Sequence, residues 1–161
     1  MASRNDRAAK GLALNADKLV RALQGAYARG ARGKELLQLA ATRMRGAGPP
    51  YTGVYLYLLH GDMLELEAFD GRPTEHTRIP VGTGICGRAI AEARDINVAD
   101  VNADPGYLAC SIETRSELVV LIRRGPAILG QIDIDSDVVN GFDDTEEGAV
   151  KEVADALAAL L

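Results

Sequence analysis

A chain of 161 residues with 47% hydrophobic and 25% charged residues has the balance of a globular protein, long enough to bury a core of its own as one domain. Its 18 Lys and Arg against 23 Asp and Glu leave a net charge of −5, which offers no cationic surface and argues against nucleic acid or an anionic membrane as a partner. The N-terminus lacks the apolar run of a signal peptide, and no stretch reaches the roughly 18 apolar residues of a membrane helix, so the chain is expected to be cytoplasmic.

From about Leu12 to Tyr27, Leu12, Leu19, Leu23 and Ala26 recur at helical spacing, and Gly30 with Gly33 then breaks the pattern. A second amphipathic helix is predicted over Lys34 to Arg45, with Leu36, Leu37, Leu39, Ala40 and Met44 on its apolar stripe and Gly46-Ala47-Gly48-Pro49-Pro50 ending it. The period then changes. Val54 to Leu59 is β-prone, His60-Gly61-Asp62 is a turn signal, and Met63 to Phe69 alternates, which predicts a hairpin. Arg78-Ile79-Pro80-Val81-Gly82 leads into a short helix over about Gly84 to Ala93, and Ile96-Asn97-Val98 is a short strand.

Two further strands follow, Ser116 to Arg123 and Ala127 to Asp135, joined by Arg124-Gly125-Pro126. In the second of them Ile132 and Ile134 alternate with Asp133 and Asp135, so period-two geometry puts both aspartates on one face. Acidic residues open a last helix after Phe142, whose apolar stripe runs through Val150, Val153, Ala154 and Leu157 to Leu161. Hairpins dominate the strand connections, which predicts an α+β fold with an antiparallel sheet.

The chemistry-bearing residues are few. The only two cysteines, Cys86 and Cys110, lie beside glycines and a Pro-Gly step that mark bends, and Glu117, Asp133 and Asp135 follow them. In a reducing compartment two thiols are expected to be free, metal-bound or catalytically cycling; without a CxxC pair or nearby histidines, zinc is not expected. A packed core thiol and a solvated acidic strand face are the plain alternatives for these residues. Gly82, Gly84 and Gly87 have no following Lys-Ser/Thr, which argues against a phosphate loop.

Several motifs stand in order: Arg78-Ile79-Pro80-Val81-Gly82-Thr83-Gly84-Ile85-Cys86-Gly87, Asp100-Val101, Pro105-Gly106-Tyr107-Leu108-Ala109-Cys110, Arg115-Ser116-Glu117 and Asp133-Ile134-Asp135-Ser136. With this element order the chain resembles a GAF domain and, over about Tyr51 to Phe142, the free methionine-R-sulfoxide reductases. The resemblance implies a GAF-like (profilin-like) α+β domain over 1–161, with N-terminal helices in 1–47, sheet and pocket loops in 51–135 and a C-terminal helix in 143–161. A central six-stranded antiparallel sheet would carry the helices on one face and a loop-roofed pocket on the other.

It further implies that the Cys110 thiolate attacks the sulfoxide and that Cys86 resolves the product into a disulfide recycled by thioredoxin. Glu117, Asp133 and Asp135 would bind and activate the substrate beside Tyr51, Tyr55 and Tyr107, with no metal and no bound cofactor. The family's third cysteine falls at His76, and its pocket Trp and a His near the attacking cysteine fall at Tyr51 and Tyr107. A homodimer through the helices is expected by the same analogy. The rival reading is a non-catalytic GAF sensor for a small metabolite or for redox state; a purely structural dimerisation module is the third.

Overall fold

The computed structural model describes residues 13–108 and 111–161. Helices α1 (Ala16–Ala28) and α2 (Lys34–Arg45) come first. Asn15 sets the start of α1, its side chain accepting the Lys18 N–H at 3.0 Å, and Leu12, where the spacing placed the beginning, lies outside the described residues. Strands β1 (Gly53–His60) and β2 (Met63–Asp70) form the expected hairpin, and the order continues β3 (Arg78–Pro80), α3 (Gly84–Glu92), β4 (Ile96–Val98), a 3-10 turn at Val101–Ala103, β5 (Ser116–Arg124), β6 (Ala127–Ser136) and α4 (Asp144–Leu160). Strand β3 is too short to display a period: Ile79 alone is buried between exposed Arg78 and Pro80, opposite Leu64 of β2.

All six strands join one antiparallel sheet in the order β3-β2-β1-β6-β5-β4. The longest strands occupy its middle, and a three-residue strand closes each edge. Alternation along β5 and β6 sends Leu118, Val120, Ile122, Ile132 and Ile134 to one face, where they join Leu23 of α1, Leu36 and Met44 of α2 and Val153 and Leu157 of α4 in one buried cluster. Burying each of these large side chains is worth about 1.5–3 kcal/mol, so this side dominates the stability. The opposite face carries Tyr55, Tyr57, Val119 and Leu121 under Ile85, Ala89 and Ile90 of α3. Asp143 caps α4, accepting the Glu146 N–H at 2.8 Å. Among the described residues, no helix is long and apolar enough to cross a membrane.

Candidate functional site

Pairing register decides which acids meet. β5 and β6 place Glu117 opposite Asp135 and Val119 opposite Asp133, while β1 places Tyr55 opposite Asp133. All three carboxyls therefore stand on the face away from α1, α2 and α4. Cys86 reaches them from the first turn of α3. The chain enters that helix through Gly82 and Gly84, at φ 93° and 63°, a left-handed backbone that favours glycine. Gly87 packs so closely on this loop that a Cβ would stand 2.5 Å from the Pro80 carbonyl oxygen. The Cys86 thiol then donates to Glu117 Oε1 at 3.8 Å, and single ligand-type atoms of Cys86, Glu117 and Asp133 lie within 4.8 Å of one another.

The cluster is buried: Cys86 is 6% exposed, Glu117 5%, Asp133 2% and Asp135 5%, which rules out a solvated strand face. Burial sets the electrostatics. It pushes the Cys86 thiol well above its ordinary pKa, and the charges of Asp133 and Glu117 add to the rise. Asp133 is raised by burial, with hydrogen bonding to Glu117 and Cys86 pulling the other way. Asp135 is raised well above the carboxylate range by burial and by the charges of Asp133 and Asp137, against which Arg72 acts.

Two arginines tie the surrounding loops. Arg72 forks onto Asp137 at 2.9 and 2.5 Å and reaches Glu113 at 2.8 Å; the Asp137 carboxyl is accordingly held low. Arg88 of α3 forks onto Asp104 at 3.1 and 2.8 Å, lowering its pKa, and Asp104 also accepts the Gly106 N–H at 2.8 Å. A narrow cleft between Ile79, Thr83, Gly84, Leu108, Cys86 and Glu117 has room for about one water, ≈ 10 Å³.

Of the tyrosines expected here, Tyr55 lies on this face, with Tyr57 beside it; their hydroxyls donate to the carbonyls of Arg72 at 2.6 Å and His76 at 2.8 Å. Tyr107 is partly buried against the same cluster. Tyr51 is a correction. It packs on the helix side, edge-on to Phe142 with ring centres 5.6 Å apart, and its hydroxyl donates to Glu146 Oε2 at 2.5 Å, so a buried carboxyl on α4 holds the ring away from the site. Cys110 lies outside the described residues.

Two residues of this region escaped the sequence reading. Gln131 is fully buried on the acid-bearing side of β6 with neither amide atom hydrogen-bonded among the described residues, and the alternation that placed Asp133 and Asp135 could have flagged it. Arg72 carries no local signal at all. Chemically, carboxyls whose pKa is raised by burial can deliver a proton to a departing oxygen, and a cation bound among them favours their ionised forms.

The sequence matches the GAF domain family model over residues 34–161. It is 39% identical over 111 residues to protein YtsP of Bacillus subtilis, covering 69% of this chain and 68% of that protein. It is 36% identical over 105 residues to free methionine-R-sulfoxide reductase of Escherichia coli, covering 65% and 63%. The chain thus spans about two thirds of the length of these curated relatives. Among solved structures, the type II free methionine-R-sulfoxide reductase from Thermoplasma acidophilum superposes with a TM-score of 0.76 at 37% identity, over 79% of this chain and 90% of that one. The free methionine-R-sulfoxide reductase from Neisseria meningitidis, solved in complex with its substrate, gives a TM-score of 0.84 at 31% identity, over 94% and 90%.

Proposed function

Because the chain belongs to the GAF domain family, we propose that its acid-bearing face reduces free L-methionine-R-sulfoxide to methionine. The observation that carries this reading is the buried meeting of Cys86, Glu117 and Asp133 on a fold shared with relatives named for that reaction. A free amino acid brings an ammonium, and the acidic cluster suits a cation. Raised carboxyl pKa values suit a proton donor to the sulfoxide oxygen.

In this mechanism the Cys110 thiolate attacks the sulfoxide sulfur, whose oxygen takes a proton; the hydroxyl then passes from the methionine sulfur to Cys110 Sγ as the transient S–S bond breaks, releasing methionine and leaving Cys110 as the sulfenic acid. Cys86 then attacks the sulfenic sulfur and expels water, giving a Cys86–Cys110 disulfide that the dithiol of thioredoxin reduces. Its raised pKa keeps Cys86 a thiol before that step, which fits a resolving role better than an attacking one. An amino acid exceeds the present cleft, so binding displaces the Leu108 wall. The same reading takes the protein as a homodimer packed through its helices, which sedimentation checks.

The test is thioredoxin-coupled NADPH consumption with free L-methionine-R-sulfoxide. Turnover is expected, absent in Cys110→Ser, limited to one methionine per chain in Cys86→Ser, and lowered about 10²–10⁴-fold in Glu117→Gln if that acid donates the proton. No turnover above the Cys110→Ser control would sink the proposal. The narrow cleft and His76 in the third cysteine's place favour a second reading, a GAF module that binds a metabolite or senses redox state without turnover. That reading predicts ligand binding or reversible disulfide formation with no methionine released.

A further inference from the structure

The same buried point has a property that sulfoxide chemistry does not require. Cys86 Sγ, a Glu117 carboxylate oxygen and an Asp133 carboxylate oxygen converge within 4.8 Å from three separate elements, α3, β5 and β6. The 3.8 Å from Cys86 Sγ to Glu117 Oε1 is close to the S···O edge, about 3.5 Å, of a tetrahedron with zinc–ligand bonds of about 2.3 Å to sulfur and 2.0 Å to oxygen.

Two independent observations point to an occupant. The Asp133 carboxyl meets Glu117 and Cys86, yet among the described residues its Oδ1 has no hydrogen-bond partner although Asp133 is only 2% exposed, and an orphaned buried carboxylate oxygen is costly until a cation or donor satisfies it. On the side of Cys86 and Glu117 away from Asp133, the cleft has room for about one water, ≈ 10 Å³, enough for the metal's remaining water. Arg72, the cation acting on Asp135, is already engaged by Asp137 and Glu113.

We propose that Cys86, Glu117 and Asp133 bind one thiophilic divalent cation of the zinc class, with water in the fourth position. Binding transfers the thiol proton to solvent and leaves Cys86 as a coordinated thiolate, because a metal deprotonates a coordinating thiol outright. Such a cation takes Cys86 out of disulfide chemistry while bound. The site stands on geometry alone and does not depend on the reductase reading.

The reduced full chain, stripped of metal by a chelator, is titrated with Cd²⁺ as a spectroscopic probe and with Zn²⁺ as competitor. Expected is one equivalent of Cd²⁺ bound, with an ultraviolet thiolate-to-metal charge-transfer band that Zn²⁺ removes. The band is absent in Cys86→Ser and Cys86→Ala, present in Cys110→Ser, and needs at least about tenfold more Cd²⁺ in Asp133→Asn and Glu117→Gln. A band missing from the parent, surviving loss of Cys86, vanishing with Cys110→Ser, or indifferent to both carboxyl substitutions overturns the proposal. Thermal melts of the metal-free variants run alongside, and the paired substitutions at Cys86 and at the two acids keep the test decisive if one variant fails to fold. Sulfoxide turnover of the metal-free chain is measured separately, so either reading can fail alone.

Discussion

On the helix side of the sheet the buried acid Glu146 is answered from two directions, by the Ala13 N–H and the Tyr51 hydroxyl, amid Leu, Ile and Val. On the other side, among the described residues, Asp133 keeps one oxygen without a hydrogen bond and Gln131 both amide atoms, at similar depth. The strands are shared, so sheet formation does not separate the faces; satisfaction of polar groups does. A satisfied carboxyl beside Tyr51 rigidifies packing, whereas unsatisfied groups cost stability and persist where binding or chemistry uses them.

The largest effect that sharpens this contrast is Leu157→Ala in α4, fully buried against the sheet. It is expected to lower stability by about 2–5 kcal/mol in urea unfolding, while sulfoxide reduction per folded molecule holds. If specific activity fell in step, the two faces would not be separable.

Next comes Asp135→Asn, read through pH. The native carboxyl titrates well above its unfolded value of about 3.9, so the folded state binds more protons than the unfolded state between the two. Its contribution is therefore greatest below about pH 3.9 and is lost as pH rises through the native pKa. The variant should show a flatter decline of unfolding free energy over that window and higher stability than the parent at neutral pH. A decline as steep as the parent's would break the contrast.

The smallest effect is expected at Arg88→Ala, about 1 kcal/mol, because the Arg88–Asp104 fork is only partly buried. Here the sign reverses. Asp104 is held below its ordinary value, so the pair stabilises above about pH 3.9 and the benefit fades as pH falls through the native pKa. In a double-mutant cycle Asp104→Ala should add little once Arg88 is gone.

Much of this was legible in the residue pattern, for identifiable reasons. The alternation of Ile132 and Ile134 with Asp133 and Asp135 assigned the two faces of β6 because a strand has period two, and α2 lies over Lys34–Arg45 as its apolar spacing required. Tyr51 was misplaced because its deciding partner, Glu146, lies 95 residues away on α4, and no local pattern records which side of a sheet a flanking ring enters. The resemblance put Cys86, Glu117 and Asp133 in one site, but residue spacing alone records nothing of their convergence, for the same reason. Metal-ligand spacings such as CxxC are signals of one loop, whereas these three donors meet only through the register of β5 with β6 and the entry of α3 through Gly82 and Gly84.

The sheet ends in β3 and β4, three residues each, with Pro80 lacking an amide to donate at one edge and the Asn97 side chain turned onto the Phe142 carbonyl at the other. Each of these edge strands presents only a short ladder to a strand from another molecule. Association of copies is therefore expected through helices or loops, and crowding at high concentration should yield discrete particles rather than fibres.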